Sequence, residues 1–243
     1  MTFLVSFIAS IKNEELYVKD AIESIVNQEL NNKFEIEIIV ANDNSNDNTL
    51  KILMDLKSQY NNIKVLDSKK EGKNSAYNLC YKYSNGDYIF IFAGDDLIPS
   101  DSTKNRLDSI LKFCSDNKLS PLSIPLAQFS KMKSFSDNQK FDQRIFPPKH
   151  IKKGTRSGGA IFMNRKAADK VFKIPTKLAA EDTWISLCIE NFCTYYDYPY
   201  VTYLYRIHKG NSVPRDLDFD SYRHYRLERL KAYSFFFHQF SNI

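Results

Sequence analysis

The first hundred residues alternate between short apolar runs and amphipathic segments, and no other feature of the chain constrains its fold as strongly. The apolar runs predict four strands, over residues 3–9, 35–41, 63–66 and 88–93. Apolar residues at helical spacing predict three intervening helices, over 15–27, 49–58 and 75–83. This alternation indicates an α/β fold with a mostly parallel central sheet flanked by helices. Such sheets bind ligands beyond the carboxyl ends of their strands.

The alternation weakens after about Pro121. Residues 130–153 carry scattered Pro, Lys and Phe and predict an irregular excursion. The remaining pattern predicts two strands and three helices, over 158–163 and 200–206 and over 164–172, 182–189 and 220–240. We therefore expect a nucleotide-binding first half with a different second half built onto it.

The composition is that of an ordinary globular protein. With 243 residues, of which 43% are hydrophobic and 26% charged, the chain can bury a substantial core. The net charge of +5 does not indicate a nucleic-acid partner, because the 34 basic residues are interleaved with 29 acidic ones. The sequence predicts no nucleic-acid binding.

Cysteine usage and hydropathy indicate the compartment. Cys80, Cys114, Cys188 and Cys193 form no C-x-x-C pair and lack the spacing of a disulfide framework, so we expect reduced thiols in the cytoplasm. The apolar first eleven residues have no basic segment before them, which favours a buried strand over a signal peptide. No apolar run approaches the roughly 20 residues that span a bilayer. Membrane contact would therefore be peripheral, at the inner face of the plasma membrane.

Two adjacent acids, Asp95 and Asp96, follow the predicted buried strand 88–93. An unpaired buried carboxylate is costly, so this pair either lies at a solvated strand end or faces a cation. Carboxylate oxygens are good ligands for Mg²⁺ or Mn²⁺, which also bridge to substrate phosphates. A solvated loop is the alternative, because Asp often initiates turns.

Two further polar loops lie near the predicted carboxyl edge. The Asn- and Asp-rich stretch 42–49 is typical of a turn with a helix cap at Asp47 or Asn48. Its alternative role is base binding, with Asp43 accepting the imide N–H of uracil. Lys73 lies near the start of the third helix, where a phosphate could bind.

The second half contains two pairs of charged residues. Glu181 and Asp182 begin a predicted helix, where they either complement the helix dipole or supply a general base for a hydroxyl. Arg206 and His208 follow the last predicted strand, in a loop able to contact a diphosphate or a metal. A histidine on its own is usually structural or merely exposed.

Taken in order, these segments resemble the family 2 glycosyltransferases of the GT-A fold, inverting nucleotide-sugar enzymes common in bacterial polysaccharide assembly. The resemblance runs from Val5 to about Ser212. It rests on the opening strand and loop at 6–14, the D-D-G-S-x-D-like segment at 43–47, the D-x-D-type motif at 93–96, the E-D pair at 181–182 and the Y-R-x-H motif at 205–208.

The resemblance implies roles for individual residues. The nucleotide sugar would be bound by Ser10, Lys12, Glu14, Asp43, Lys73, Asn78, Asp95 and Arg206. Asp96 would be the main ligand of a Mn²⁺ or Mg²⁺ cofactor, with Asp95 and His208 completing the metal site. Asp182 would take the proton from the acceptor hydroxyl, and Glu181 would orient the base or the acceptor.

The implied reaction is metal-dependent, inverting transfer of a hexosyl or N-acetylhexosaminyl group from a nucleotide-diphosphate donor, with UDP expected. The acceptor would be a hydroxyl of a glycan or of a lipid-linked oligosaccharide. The implied organisation is a transferase domain over 1–215 and a C-terminal helix over 216–243. Within the domain, residues 1–100 would bind the donor and 101–215 would face the acceptor.

Departures from the family pattern affect these expectations. Ala93 stands where a D-x-D-D pattern has its first acid, which leaves the metal to the two acids that follow. Asn42 and Asn44 replace the family's Asp and Gly, so the uracil contact is less secure. Without a metal, the positive charge for the leaving diphosphate would come from Lys73, Arg206 or His208.

The acceptor side has fewer distinctive residues. Arg156, Ser157, Gly158 and Gly159 fall where the family lines its acceptor cleft, and a Gly-rich turn into a strand explains them equally well. Trp184 either stacks on a sugar ring or lies in the core.

The predicted C-terminal helix combines aromatic and basic residues. One side carries Tyr222, Tyr225, Arg229, Tyr233, Phe236 and Phe240. Such a helix either lies on an anionic membrane, bringing the enzyme to a lipid-linked acceptor, or packs on the catalytic domain or on the second subunit of a homodimer.

Two other functions remain open at this point. A nucleotidyltransferase would share the α/β architecture and the paired acids, but it would carry a Gly-rich phosphate loop where this chain has Ser10-Ile11-Lys12-Asn13-Glu14. A non-enzymatic membrane or phosphate-binding module would bind lipid with no nucleotide preference. Fold alone does not decide among these functions.

Overall fold

A computed structural model of the protein describes residues 2–69, 72–137, 144–146, 158–211 and 219–240, without the side chains of 146, 219, 221, 222 and 225. The first half contains β1 (Phe3–Ile11), α1 (Val18–Val26), β2 (Phe34–Asn42), α2 (Thr49–Gln59), β3 (Ile63–Asp67), α3 (Lys73–Lys82) and β4 (Tyr88–Ile91). The second half contains α4 (Ser102–Asp116), β5 (Leu126–Phe135), β6 (Ile145–Phe146), β7 (Ile161–Asn164), α5 (Arg165–Val171), α6 (Glu181–Phe192), β8 (Thr194–Arg206) and α7 (Phe219–Phe240).

The strands form a mixed sheet in the order β3-β2-β1-β4-β7-β5-β6, with β8 paired to β5. The pairs β3–β2, β2–β1 and β1–β4 are parallel, as the alternation of strands and helices predicted. The pairs β4–β7, β7–β5 and β5–β6 are antiparallel, and β5–β8 is parallel. The predicted α/β sheet flanked by helices is confirmed, and the first half of the chain forms its continuous parallel part.

Both faces of the sheet are covered because the central strands are apolar on both faces. In β1, Val5 and Phe7 point into a core shared with α1, α2 and α4, whereas Ile8 points into a second core on the opposite face. That second core contains buried residues of α3, α5, α6 and α7. The carboxyl ends of the parallel strands are therefore held at one edge of a sheet buried on both sides.

The helix α4 was not predicted, although Leu107, Ile110 and Cys114 recur at helical spacing and are buried. Arg106 interrupts the apolar stripe of this helix, yet it is 0% exposed. Its guanidinium donates to Gln128 Oε1 at 2.9 Å and lies 4.9 Å from the ring centroid of Phe90. Arg106 therefore joins α4 to β5 and β4 inside the core.

The predicted irregular excursion over 130–153 is wrong for its first part, because β5 continues to Phe135. The register between β5 and β8 shifts on either side of Lys131, so the alternation of side chains along β5 is broken there. A broken alternation conceals a strand from a pattern-based prediction.

The terminal helix α7 packs on the rest of the fold through its aromatic side. Ala232 and Phe236 are buried, and the rings of Phe236 and Phe240 lie within about 6 Å of Trp184. Trp184 is 1% exposed and donates its indole N–H to the carbonyl of Val171, so it is a core residue and does not stack on a sugar. Among the described helices, none is long and apolar enough to cross a membrane.

Candidate active site

Two motifs far apart in the sequence meet at the carboxyl edge of the sheet. Leu97 and Leu204 form an antiparallel bridge, with backbone N–H···O distances of 3.0 and 2.9 Å in the two directions. This bridge aligns the acids that follow β4 with the segment 205–208 that ends β8. The side chains of Asp95 and His208 are brought together as a result.

Glu14, Asp95 and His208 form a group that could hold a metal ion. Their ligand atoms all lie within 4.8 Å of one another, and His208 Nε2 is 3.0 Å from Asp95 Oδ2. Gly94 permits this close approach, because a Cβ there would lie 2.7 Å from Ile11 Cδ1 and 3.2 Å from Glu14 Cγ. Two carboxylates and an imidazole are a donor set that fits a divalent cation such as Mn²⁺.

Asp96 does not belong to this group, although its motif led us to expect it as the main metal ligand. Its side chain is 4% exposed and accepts a hydrogen bond of 2.8 Å from the backbone N–H of Arg206. It also contacts the hydroxyl of Tyr203, which in turn accepts the N–H of Ala93 at 3.1 Å. Asp96 therefore joins the acid loop to β8 from the interior.

The guanidinium of Arg206 is surrounded by protein groups. It donates to both carboxylate oxygens of Asp137 at 2.6 Å and to the carbonyl of Asp95 at 2.8 Å. The rings of Tyr17 and Phe135 lie 4.9 Å from it. With 3% exposure, Arg206 is placed to hold the site together, and a direct contact with the nucleotide would require these bonds to break.

Two acids of the site have raised pKa values. Burial, reinforced by the charges of Asp95 and Asp47, raises the pKa of Glu14 to about 8. Burial and the charge of Asp95 also hold the pKa of Asp96 well above its usual value, although the Arg206 N–H opposes this. Several carboxylates held this close together without a cation repel one another, so the site favours binding positive charge.

Neighbouring groups fix the orientation of His208. Its Nδ1 accepts the backbone N–H of Gly210 at 3.1 Å, and its ring packs against Tyr17 with centroids 4.5 Å apart. An accepting Nδ1 puts the proton of the neutral ring on Nε2, the nitrogen that faces Asp95. A metal bound at Nε2 would displace that proton.

Asp43 is held at the end of β2 in a pocket of polar contacts. Its Oδ1 accepts the hydroxyl of Ser68 at 2.8 Å and the backbone N–H of Gly72 at 3.2 Å. Gly72 has a φ of 86°, a left-handed conformation that suits glycine, immediately before α3 begins. Within the described residues, no group donates a hydrogen bond to Oδ2 of Asp43. This oxygen could therefore accept one from a ligand.

The Glu181–Asp182 pair opens α6 and faces α3. Lys73 forms an ion pair with Glu181. Burial and the charge of Glu181 raise the pKa of Asp182 to about 6, while Lys73 and the N–H of Thr183 lower it. At neutral pH, Asp182 is therefore mostly ionised and yet more basic than an ordinary aspartate, as a general base requires.

Two asparagines of α3 hold the loop that leads into α6. Asn78 donates to the carbonyl of Ile174 at 2.8 Å and accepts its backbone N–H at 2.8 Å. Asn74 donates to the carbonyls of Pro175 and Leu178 at 2.9 and 2.6 Å. The position of Asn78, expected to bind the nucleotide sugar, thus suits positioning of the Glu181–Asp182 pair.

The remaining expected donor-binding residues lie at the end of β1. Ser10 is half-buried and Lys12 is exposed. Of the expected acceptor-side residues, Arg156 and Ser157 lie outside the described residues, whereas Gly159 packs so tightly on the ring of Tyr203 that a Cβ would collide with it.

Sequence reasoning placed Glu14 among the donor-binding residues without identifying it as a metal ligand, and it did not single out Tyr77. Glu14 is the third member of the metal-ligand group, and its position directly after a parallel strand was a signal for it, as for Asp95. Tyr77 is 4% exposed and lies beside Lys73, with Glu181 and Asp95 also in its electrostatic environment. No sequence pattern indicates that Tyr77 is buried beside Lys73.

The family model described as "Glycosyl transferase family 2" matches residues 6–172 of the chain. The matched segment includes Glu14, Asp43, Lys73 and Asp95, and it ends before the Glu181–Asp182 pair and His208. No curated protein sequence matches the chain significantly.

Solved structures share the fold at low sequence identity. S. aureus TarS 1-349 in complex with UDP-GlcNAc is 20% identical, with a TM-score of 0.64 over 94% of this chain and 65% of that one. The same protein in complex with UDP gives a TM-score of 0.62 at 20% identity, over 85% of this chain and 61% of that one. The mannosyltransferase PcManGT from Pyrobaculum calidifontis, in complex with GDP-Man and Mn²⁺, is 16% identical, with a TM-score of 0.60 over 94% of this chain and 61% of that one. The chain spans about three fifths of the length of these proteins.

Proposed function

The chain belongs to glycosyl transferase family 2, and on that premise we propose that it transfers a sugar from a nucleotide-diphosphate donor to a hydroxyl of a glycan or lipid-linked acceptor. One observation carries the proposal. Glu14, Asp95 and His208 offer metal-ligand atoms within 4.8 Å of one another, at the sheet edge where α/β folds bind nucleotides. The family match favours sugar transfer over a nucleotidyltransferase or a non-enzymatic module.

We assign donor binding to the carboxyl ends of β1 to β4. Asp43 offers Oδ2 to a base N–H, which suits the imide of uracil, and the proposed donor is therefore a UDP-sugar. The structures of TarS with UDP-GlcNAc and of PcManGT with GDP-Man support a nucleotide sugar in this fold without choosing the base or the sugar.

The proposed metal is Mn²⁺ or Mg²⁺, held by Asp95 and His208 with Glu14. Such an ion would neutralise the diphosphate as it leaves the sugar. The protein's own contribution is to hold the donor set in place: Asp96 and Arg206 join the acid loop to β8, and Tyr17 and Gly210 fix the ring of His208.

Asp182 is the proposed general base. It would take the proton from the attacking hydroxyl, giving a single displacement with inversion at the anomeric carbon. Its pKa of about 6 supports this assignment, because it is ionised at neutral pH and can still accept a proton. Glu181 would orient Asp182. The ion pair with Lys73 of α3 holds the side chain of Glu181 in place.

We propose that the outward side of α7 contacts an anionic membrane surface. Leu227, Leu230 and Phe237 lie on that side with exposures of 47, 61 and 62%, next to the exposed Arg223 and Arg226. An apolar stripe flanked by cations is complementary to anionic lipid and would suit a lipid-linked acceptor. Flotation with anionic liposomes tests this: Leu230→Gln should reduce binding, whereas self-association without lipid binding would assign the face to a homodimer.

The experiment that tests the transferase itself is thermal unfolding with UDP, GDP and CDP, each with Mn²⁺ or with EDTA. A ligand that binds only the native state raises the Tm. We expect a rise with one nucleotide that requires the metal, followed by transfer from sugars carried on that nucleotide. No response to any nucleotide in either condition would contradict the proposal.

A further inference from the structure

The turn that carries Asp95 is held by β8 at both of its ends. At its start, the backbone N–H of Ala93 donates to the hydroxyl of Tyr203 at 3.1 Å. At its end, the backbone N–H of Leu97 donates to the carbonyl of Leu204 at 3.0 Å. The second bond joins two backbone groups, whereas the first depends on a single side-chain hydroxyl. A substitution of Tyr203 can therefore release the start of the turn and leave the backbone bridge in place.

Gly159 determines where that hydroxyl lies. Tyr203 is 1% exposed, and the hydroxyl end of its ring lies against the backbone of Gly159. A Cβ at position 159 would lie 2.1 Å from Cζ, the ring carbon that carries the hydroxyl, and 2.4 and 2.5 Å from the two adjacent carbons. The ring also stacks on Phe90 of β4, with centroids 6.3 Å apart. Any side chain at position 159 would push the ring out of this packed position.

The anchor at Ala93 matters because the next residue is a glycine. Gly94 separates Ala93 from Asp95, and its lack of a side chain permits the close approach to Ile11 and Glu14. Glycine also restricts the backbone less than any other residue does. Without a fixed Ala93, the backbone at Gly94 could direct the carboxylate of Asp95 away from Glu14.

From this arrangement we propose that Tyr203 is a positioning residue for the metal site and that Gly159 acts through it. The Tyr203 hydroxyl fixes Ala93, and the carboxylate of Asp95 then faces the other two proposed metal ligands. This role rests on the proposed function, in which that group holds Mn²⁺ or Mg²⁺. Gly159, expected from the sequence to line the acceptor cleft, is thereby assigned to the metal side of the site. Tyr203 lies outside the segment matched by the family model, so the family match assigns no role to it.

The test is the affinity of the full chain for Mn²⁺ alone, measured by isothermal titration calorimetry. Tyr203→Phe removes the hydroxyl and keeps the ring, so the N–H of Ala93 loses its acceptor. The metal must then order the turn as it binds, and the loss of affinity is limited to the net free energy of the lost hydrogen bond. The Kd for Mn²⁺ should therefore rise by about three- to tenfold.

Tyr88→Phe is the matched control. Tyr88 lies on β4 and is 0% exposed, and within the described part of the chain its hydroxyl has no hydrogen-bond partner. Removing that hydroxyl deletes the same atom from a buried ring of the same sheet and should leave the Kd for Mn²⁺ unchanged.

Gly159→Ala tests the second part of the proposal. It should also raise the Kd for Mn²⁺, because the displaced ring moves its hydroxyl away from Ala93. If Gly159 acts through that hydroxyl, Gly159→Ala combined with Tyr203→Phe should weaken binding by less than the product of the two single effects. A double variant whose effect equals that product would reject the link between Gly159 and Tyr203.

Stability and affinity separate a positioning role from a purely structural one. A folded Tyr203→Phe variant with a lowered Tm and the wild-type Kd for Mn²⁺ would overturn the proposal. Hydrogen exchange at Ala93 in the wild type needs no variant: exchange as fast as that of an exposed amide would overturn it as well. A wild type that binds no Mn²⁺ would reject the proposed metal site together with this role, whereas normal Mn²⁺ binding in both proteins would reject the role of Tyr203 alone.

Discussion

The carboxylate of Asp96 accepts a hydrogen bond of 2.8 Å from the backbone N–H of Arg206, a residue 110 positions away in the sequence. Its neighbour Asp95 instead faces Glu14 and His208. The two adjacent acids therefore have different surroundings, one interior and one at the proposed metal site, and substitutions should separate their roles.

We expect Asp95→Asn to weaken Mn²⁺-dependent UDP binding by at least about tenfold, because it removes a charged ligand. Asp96→Asn keeps an oxygen that can accept the Arg206 N–H, so it should change this affinity by less than about threefold. Isothermal titration calorimetry measures both. Equal losses in the two variants would show that the acids share one role.

Asp96→Ala is expected to act on stability. It leaves the buried N–H of Arg206 without its acceptor, which should lower the free energy of unfolding by about 1–3 kcal/mol. Urea unfolding measures this change, with the conservative Asp96→Asn as the control that retains the acceptor. A fully stable Asp96→Ala variant would be inconsistent with an interior structural role.

Glu14 should make the metal-free protein less stable as the pH rises. Burial and the charges of Asp95 and Asp47 raise its pKa from 4.5 to about 8, so the folded state binds a proton that the unfolded state releases between these values. Its contribution to stability therefore falls from about pH 4.5 to about pH 8. Glu14→Gln should stabilise the protein at pH 8 by about 1–3 kcal/mol and have little effect at pH 4.5.

The measurement for Glu14 is urea unfolding in EDTA at pH 5 and pH 8, with the exposed Glu35→Gln as a control for charge removal. Adding Mn²⁺ should stabilise the wild type more than Glu14→Gln, because the ion loses one carboxylate ligand in the variant. A Glu14→Gln variant that is destabilised at pH 8 would contradict the predicted electrostatic cost.

Asp182→Asn should abolish transfer while preserving donor binding. An amide cannot accept the proton of the attacking hydroxyl, so kcat should fall by about 10² to 10⁴-fold. The Kd for UDP with Mn²⁺ should stay within about threefold, because a base that acts on the acceptor contributes little to donor affinity. In the wild type, kcat should fall as the pH drops through about 6, where Asp182 becomes protonated.

A product assay and calorimetry together check Asp182, with Asp116→Asn, on the exposed side of α4, as the matched acid-to-amide control. Turnover in Asp182→Asn comparable to that of the wild type would remove Asp182 from the mechanism.

Asn78→Ala should loosen the loop before α6. It deletes both hydrogen bonds to the backbone of Ile174 and should cost about 1–3 kcal/mol in the free energy of unfolding. Because that loop leads to Glu181 and Asp182, kcat should fall while UDP affinity is maintained. Hydrogen exchange at Ile174 measures the loosening directly. A variant that loses UDP binding with its stability intact would instead support the direct donor contact expected from the sequence.

Most strands and helices of the parallel half of the fold could be predicted from the sequence. The strands near β1, β2, β3 and β4 were predicted within about two residues, because each is a continuous apolar run bounded by polar turns. The strand ends also pointed to Glu14, Asp43 and Asp95, since parallel strands place the residues that follow them at one edge. By contrast, α4 was missed although its apolar residues keep helical spacing, and β5 was missed because its register with β8 is irregular.

The order of strands and helices, the acids at strand ends and the resemblance to a transferase family were all determined by the sequence alone, because they depend on local periodicity and on residue types. Which acid lies beside Glu14 and His208 and which faces the interior was decided only by the tertiary structure. The bridge between Leu97 and Leu204 aligns the acid loop with the end of β8, where Asp96 accepts the Arg206 N–H, and Phe236 of α7 packs on Trp184 two residues beyond Asp182. These relationships join residues about 50 to 110 positions apart, and no local pattern records such contacts.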